Sequence, residues 1–134
     1  MRTGGGAGAA INRAAGQQLL GALFDIPEVK PGIPCPTGEA RITPGFKLPA
    51  SCVIHTVGPI HFIDKNPAAS LRNAYRNSLM VAKANKIEYI AFPAICCGAY
   101  GQVAKWNHLG QGLFCWLLDI CWPLDELSHF ITLI

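Results

Sequence analysis

Apolar and polar positions along the chain repeat with two different periods, which predict helices and strands in turn. The Ala9–Leu23 segment is rich in Ala, Leu and Gln, so it is predicted to form one helix, with Gly21 near its end. A second helix is predicted over Ser70–Lys86, with Ser70 as the candidate N-cap. Its helically spaced face consists of Leu71, Ala74, Tyr75, Ser78, Leu79 and Ala82.

Strand-like segments lie between and after these helices. Cys52–Val57 and Tyr89–Pro93 are short, apolar and rich in β-branched or aromatic residues, so both are predicted to be buried strands. Glu39–Thr43 alternates in polarity and predicts another strand, and His129–Ile134 has strand-like composition. The Pro- and Gly-rich segment Asp25–Gly38 predicts a surface loop. Helices that alternate with strands indicate an α/β sheet, whose ligands bind at the carboxyl ends of the strands.

Two glycine-bearing loops carry the candidate chemistry. The first is TGGGAGAAINRAAG (Thr3–Gly16), and the second is FPAICCGAYG (Phe92–Gly101). Backbone amides unobstructed by side chains can close around an anion, and a helix N-terminus adds a favourable dipole. Two such loops on one domain suggest a diphosphate held from two sides. The glycines Gly4–Gly8 alone are weak evidence, because a flexible terminal segment has the same composition, and a dinucleotide fingerprint needs a strand before it.

Composition narrows the class of protein. The 134 residues suffice for one domain, and 51% of them are hydrophobic while only 14% are charged, which argues against disorder. The net charge of +3 comes from scattered Lys and Arg, so no nucleic-acid partner is predicted. No apolar stretch reaches transmembrane length, and Leu113–Leu124 is too short, so no membrane partner is predicted either.

The cysteines indicate the compartment. The sequence has six cysteines: Cys35, Cys52, Cys96, Cys97, Cys115 and Cys121. It shows no secretory signal, and the cysteines form no CxxC pair and no zinc-ligand spacing. Reduced thiols in a cytoplasmic or nuclear protein are the predicted state. No metal site and no cofactor are predicted.

The two glycine loops and the segments between them resemble a macrodomain of the MacroD type. The resemblance rests on Gly4-Gly5-Gly6, Ala10-Ile11, Arg13–Gly16, CPTGEARITPGFKLP (Cys35–Pro49), VIHTVGP (Val53–Pro59) and FPAICCGAYG. These segments run in order from Thr3 to Gly101. The resemblance implies a three-layer α/β/α sandwich with a mixed sheet. It also implies ADP-ribose binding, or alternatively mono-ADP-ribosyl-protein hydrolase and O-acetyl-ADP-ribose deacetylase activity.

The same resemblance assigns the ligand-binding residues. The first loop contributes Gly4, Gly5, Gly6, Ala7 and Gly8, and the second contributes Cys96, Cys97, Gly98, Ala99, Tyr100 and Gly101. Tyr100 corresponds to an aromatic residue that lies against the distal ribose, although an aromatic loop residue can also serve packing alone.

Two departures from the family pattern bear on catalysis. Gly8 stands where the family has the Asp proposed to activate water, and Asn12 stands where it has His. Since glycine cannot accept a proton, no catalytic residue is assigned. A binding module is therefore preferred to a hydrolase, and its expected partner is ADP-ribose or a mono-ADP-ribosylated protein.

The resemblance also predicts the domain organisation. Residues 1–101 are expected to be a partial macrodomain that lacks the segment before the first loop, and residues 102–134 a divergent apolar tail. Because the N-terminal strands that would cover its sheet are absent, marginal folding is predicted. A chain with no stable function, because it cannot complete its sheet, is the third alternative beside binding and hydrolysis. An uncovered sheet edge and exposed apolar surface would then favour self-association.

Other candidate residues have simpler interpretations. His55 lies within an apolar strand, so a core histidine bonded to backbone is predicted rather than a catalytic base. Cys96 and Cys97 have no base at a fixed spacing and are interpreted as buried or loop thiols rather than nucleophiles.

Overall fold

A mixed three-stranded sheet is the centre of the fold. The computed structural model describes residues 7–93, 95–96 and the backbone of 132–133. Its helices are α1 (Ala7–Ala15), α2 (Gln17–Phe24) and α3 (Pro67–Ala84), and its strands are β1 (Ala40–Pro44), β2 (Cys52–Thr56) and β3 (Thr132–Leu133). The strand order is β1-β2-β3, with β1 antiparallel and β3 parallel to β2.

The two faces of β2 pack against different helices. Val53 is fully buried against Ala15 of α1 and Leu19 of α2. Ile54 points to the opposite face, as alternation along a strand requires, and packs against Ala82 of α3. Helices therefore cover both faces of the sheet. The predicted α/β/α layers and mixed sheet are confirmed.

The prediction of one helix over Ala9–Leu23 is wrong, because Gly16 divides the segment into α1 and α2. Gly16 has φ 83°, a conformation that glycine adopts without steric cost. Its N–H donates to the Asn12 carbonyl, and the Ala15 carbonyl accepts from the N–H of Lys47 at 3.4 Å. A left-handed glycine that ends a helix is a common C-terminal arrangement, and here a distant loop satisfies the final carbonyl of α1.

Helix α3 begins and ends earlier than predicted. The predicted helix Ser70–Lys86 has its N-cap not at Ser70 but at Asn66, whose Oδ1 accepts from the N–H of Ala69 at 3.2 Å. Pro67 follows the cap in the first turn, where its missing N–H costs nothing. The combination of Asn and Pro therefore places the start one turn upstream.

The buried face of α3 is narrower than the predicted one. Ala74, Ser78 and Ala82 are buried, whereas Leu79 is 45% exposed. The Ser78 hydroxyl donates to the Ala74 carbonyl at 2.7 Å, so this polar side chain is satisfied within its own helix. These small side chains allow α3 to approach the sheet closely, and Leu79 lies outside the contact between helix and sheet.

Strands β1 and β2 confirm the predictions to within one residue, but Tyr89–Pro93 does not form the predicted buried strand. Only Ala91 makes a single bridge, and Tyr89 is exposed. Both edges of β2 are already paired, one with β1 and the other with β3. Phe92 packs its ring against Tyr75 of α3 instead, with ring centroids 5.3 Å apart. The predicted strand in His129–Ile134 is confirmed for Thr132–Leu133.

The outer edge of β1 is partly protected against further pairing. The N–H of Gly45 donates to the Ser51 carbonyl, which continues the β1–β2 register, so the odd-numbered residues of β1 bond to β2. Its even-numbered residues turn their polar backbone groups outward. Arg41 Nη1 covers one of them by donating to the Ala40 carbonyl at 2.7 Å, and Pro44 has no N–H to offer. Charged and proline residues of this kind protect sheet edges from intermolecular pairing.

We expect Arg41→Ala to increase self-association, because it uncovers the Ala40 carbonyl on this edge. The change should appear as earlier, concentration-dependent elution in size-exclusion chromatography. Arg72→Ala is the matched control, since Arg72 is exposed on α3 and its replacement removes the same charge. Identical elution of both variants would contradict a protective role for Arg41.

None of the helices in the described ranges is both long and apolar enough to cross a membrane.

Candidate functional site

The structure describes where each predicted glycine loop meets the sheet and helices. Ala7 and Gly8 are the first two residues of α1, and Cys96 lies in a turn. The remaining predicted site residues lie outside the described residues: Gly4, Gly5, Gly6, Cys97, Gly98, Ala99, Tyr100 and Gly101. The described geometry is therefore that of the two loop junctions.

The first junction is the amino end of α1. The first-turn amides of any helix lack intrahelical acceptors, and they carry the positive end of the helix dipole. The first turn of α1 contains no acidic side chain that would neutralise this end. Gly8 is buried within it. This helix end is suited to an anionic group.

Asn12 lies one turn further along α1 and is buried. Its Nδ2 donates to the Gly8 carbonyl at 2.9 Å, while its Oδ1 is buried without a partner among the described residues. The side chain thus ties the first turn to the second. A side-chain amide carries no group that titrates near neutral pH and glycine has no side chain, so neither Gly8 nor Asn12 supplies an acid or base. The sequence pattern had no signal for this contact.

The second junction is held between β2 and α3. Cys96 has φ 59° and its Sγ donates to the Pro59 carbonyl at 3.2 Å. The N–H of the preceding residue, Ile95, donates to the Tyr75 hydroxyl of α3 at 3.4 Å. Cys96 therefore lies in a loop with its thiol hydrogen-bonded to Pro59, and the backbone just before it is held by Tyr75.

Gly58 brings this junction close to β2. A Cβ at Gly58 would overlap Cys96 Sγ and come within 2.7 Å of Ile95 Cγ2. Gly58 and Pro59 enter the sequence pattern only as part of the segment Val53–Pro59, which carries the family resemblance. The pattern therefore missed this contact, because the partners are far apart along the chain.

His55 is a core histidine, as predicted, but its partner is a side chain and not the backbone. It is fully buried, and its Nε2 shares a hydrogen bond of 2.7 Å with Thr43 Oγ1. The β1–β2 register places these two residues diagonally on the same face of the sheet, which brings the hydroxyl within reach. Burial lowers the pKa of His55 to about 4. A neutral, buried imidazole is structural here.

We expect His55 to make folding sensitive to mild acid. The pKa of a histidine in an unfolded chain is about 6.5, against about 4 in the folded protein, so the unfolded state binds the proton first. The contribution of neutral His55 to the free energy of unfolding is therefore fully present above pH 6.5. It is lost as the pH falls from 6.5 towards 4, which lowers the free energy of unfolding by up to roughly 3 kcal/mol. Urea unfolding of the wild type and His55→Gln across this range measures the effect.

The His55→Gln variant is expected to lose less stability with falling pH than the wild type. His61→Gln replaces a partly exposed histidine and is the matched control for the loss of an imidazole. Parallel pH profiles for the wild type and His55→Gln would contradict the assignment.

The described residues offer no assembled metal site. They contain no group of three His, Cys, Asp or Glu side chains that could hold a metal ion. Cys35 and Cys52 are free thiols. Burial raises the pKa of Cys35, which donates to the Glu39 carbonyl at 3.4 Å, so this thiol is structural rather than nucleophilic.

Comparison with known sequences finds one family. The Macro domain family model matches residues 1–105. A Macro domain-containing protein from Xanthomonas campestris is 52% identical over 99 residues, which are 73% of this chain and 55% of that protein. The O-acetyl-ADP-ribose deacetylase of Klebsiella pneumoniae is 50% identical over 99 residues, again 73% of this chain and 55% of the relative. The chain spans about half the length of the curated relatives it matches.

Solved structures give a similar result. The Oceanobacillus iheyensis macrodomain with ADP has a TM-score of 0.74 and 34% identity, over 98% of this chain and 68% of that chain. The Trypanosoma brucei macrodomain in complex with ADP has a TM-score of 0.65 and 28% identity, over 98% of this chain and 52% of that chain.

Proposed function

The chain belongs to the Macro domain family, and we propose that it is an ADP-ribose-binding module that grips the ligand between its two glycine loops. The observation that carries the proposal is the second junction, where Cys96 is anchored on Pro59 beside the carboxyl end of β2. That is the end of a sheet strand at which α/β proteins bind ligands. Similarity to two macrodomains solved with ADP supports a ligand containing an adenosine diphosphate group.

The direction of α1 supports the approach of the first loop to the same place. The Ala15 carbonyl, at the end of α1, accepts from Lys47 in the turn that leads into β2. Helix α1 therefore ends near the beginning of β2. We propose that its amino end, which carries the first loop, lies towards the carboxyl end of that strand, near Cys96.

Each loop has a proposed part in binding. Amides of Gly4, Gly5, Gly6, Ala7 and Gly8, with the dipole of α1, take one side of the diphosphate. Amides of the segment Cys96–Gly101 take the other side, and Tyr100 lies against the distal ribose. The partner is free ADP-ribose or a mono-ADP-ribosylated protein.

Hydrolysis is the second candidate function. It is favoured by the 50% identity with the O-acetyl-ADP-ribose deacetylase, and mono-ADP-ribosyl-protein hydrolysis belongs to the same alternative. Gly8 and Asn12 weigh against it, because both lack a group that accepts a proton from water. We therefore propose binding as the main function.

The compartment and association state are part of the proposal. Free thiols at Cys35 and Cys52 support a reducing compartment, the cytoplasm or the nucleus. Phe62 and Ile63 are 70% and 76% exposed, which supports self-association through apolar surface.

Calorimetric titration of the purified protein with ADP-ribose tests the proposed function. A saturable heat of binding is expected, with weak affinity dominated by the diphosphate. AMP, which lacks the diphosphate, is the ligand control and should bind less tightly. Equal binding of AMP and ADP-ribose, or no binding of either, would overturn the proposal.

A further inference from the structure

We infer that Gly58 and Pro59 form a seat that positions the second glycine loop, and that ligand binding requires position 58 to lack a side chain. This inference rests on the proposed function for its effect on binding. Its structural part rests on described residues alone. Gly58 and Pro59 follow β2 directly, and neither is among the residues assigned to touch the ligand.

In this seat the backbone of Gly58 lies close to the side chains of Ile95 and Cys96. A Cβ on Gly58 would overlap Cys96 Sγ and crowd Ile95 Cγ2 at 2.7 Å, a separation that real Cβ atoms do not adopt. Gly58 is not among the glycines with positive φ, so its backbone conformation suits any residue. The requirement for glycine is therefore one of space and not of backbone conformation.

Hydrogen bonds hold the backbone next to Gly58 in place. The carbonyl of Val57, next to Gly58, accepts from the N–H of Gly38 at 2.8 Å. The Gly38 carbonyl in turn accepts from Asn77 Nδ2 of α3 at 2.7 Å. Because these bonds hold the backbone next to Gly58, the side chains of Ile95 and Cys96 must give way to a Cβ at position 58.

The loop side has defined anchors that such a movement would break. Cys96 Sγ donates to the Pro59 carbonyl, and the Ile95 N–H donates to the Tyr75 hydroxyl. Ile95 lies immediately before the segment proposed to bind the diphosphate, and Cys96 is the first residue of that segment. Amides that bind an anion work only in a narrow range of positions, because displacement by about 1 Å weakens them severely. Gly58 and Pro59 are therefore positioning residues for the second loop.

The test is Gly58→Ala, with two independent readouts. Titration with ADP-ribose is expected to show at least about a tenfold loss of affinity. The backbone amide NMR signals of Ile95 and Cys96, recorded without ligand, are expected to shift. Gly21→Ala is the matched control, because a Cβ at Gly21 on α2 meets no atom within 4 Å. That control should leave both readouts at wild-type values.

A double variant separates positioning from general damage. Cys96→Gly removes the Sγ that the new Cβ would overlap and tolerates the left-handed φ of 59°, at the cost of the bond to Pro59. Cys96→Gly alone should weaken binding a few-fold. The double variant Gly58→Ala/Cys96→Gly should bind more tightly than Gly58→Ala and should melt at a higher temperature, so the coupling is measurable even where the single variant folds poorly.

The outcomes distinguish this inference from the proposed function. Unchanged NMR signals of Ile95 and Cys96 in Gly58→Ala would overturn the seat, whatever the wild type binds. Unchanged ADP-ribose affinity in Gly58→Ala, or strictly additive effects in the double variant, would overturn the positioning role. A wild type that binds no ADP-ribose would overturn the proposed function and the requirement for binding, while shifted amide signals would still support the seat.

Discussion

Gly98→Glu is expected to abolish measurable ADP-ribose binding. Gly98 lies outside the described residues, two positions after the anchored Cys96, in the segment proposed to surround the diphosphate. A glutamate there places a bulky side chain against amides that need open access. It also places a negative charge beside phosphate oxygens. Each hydrogen bond to a charged group contributes roughly 1.5–3 kcal/mol, so the loss of two would lower the affinity by roughly a hundredfold or more.

Calorimetry on matched variants measures this loss. Gly21→Glu introduces the same charge on an exposed position of α2, where a side chain meets open space, so it controls for the change in net charge. It should bind ADP-ribose as the wild type does. Tight binding that Gly98→Glu leaves intact would refute the two-loop site. Equal losses in both variants would point instead to long-range repulsion.

Hydrolysis of mono-ADP-ribosylated protein is expected to be slower by a factor of about 100 to 10,000 than in a complete MacroD-type enzyme. The general base expected at the first loop is replaced by Gly8, the second residue of α1. The next acid along the chain is Asp25, at the C-cap of α2 and therefore two helices away. Water held by the substrate's own phosphate would still permit slow turnover.

Release of ADP-ribose from a mono-ADP-ribosylated protein measures the rate. Gly8→Asp should increase it, because a carboxylate in the first turn of α1 is favoured by the helix dipole and can accept a proton from water. Gly8→Asn has nearly the same shape without the charge and should not restore turnover. Wild-type turnover close to that of the complete enzyme would show that Gly8 is not a lost catalytic position.

Local sequence was sufficient for some elements. Cys52–Val57 predicts β2 because a run of β-branched residues closed by Gly-Pro has few other stable conformations. The sequence also contains a signal for the start of α3. Asn66 followed by Pro67 is a helix-start signal. Ser70 competes with it as the predicted N-cap, because asparagine and serine are both favoured at that position.

Other elements depended on residues far away in sequence. The division between α1 and α2 requires Gly16 to adopt a positive φ, and that conformation accompanies the bond from Lys47 to the Ala15 carbonyl. Tyr89–Pro93 has strand composition, yet Thr132–Leu133 pairs with β2 in its place. Amino-acid composition indicates that a segment tends to be extended, but it does not determine which strand the segment pairs with. That pairing depends on competition among all the strands of the fold.

For the site, the sequence by itself predicts the chemistry: two glycine-rich loops whose amides are proposed to bind an anion, and no proton acceptor at Gly8. Only the tertiary structure decided the positions. Cys96 contacts Pro59 across 37 residues, and His55 finds Thr43 because the β1–β2 register places them diagonally. The requirement for glycine at position 58 is one of excluded volume. It exists only once two distant segments occupy neighbouring space, so no local pattern of residues encodes it.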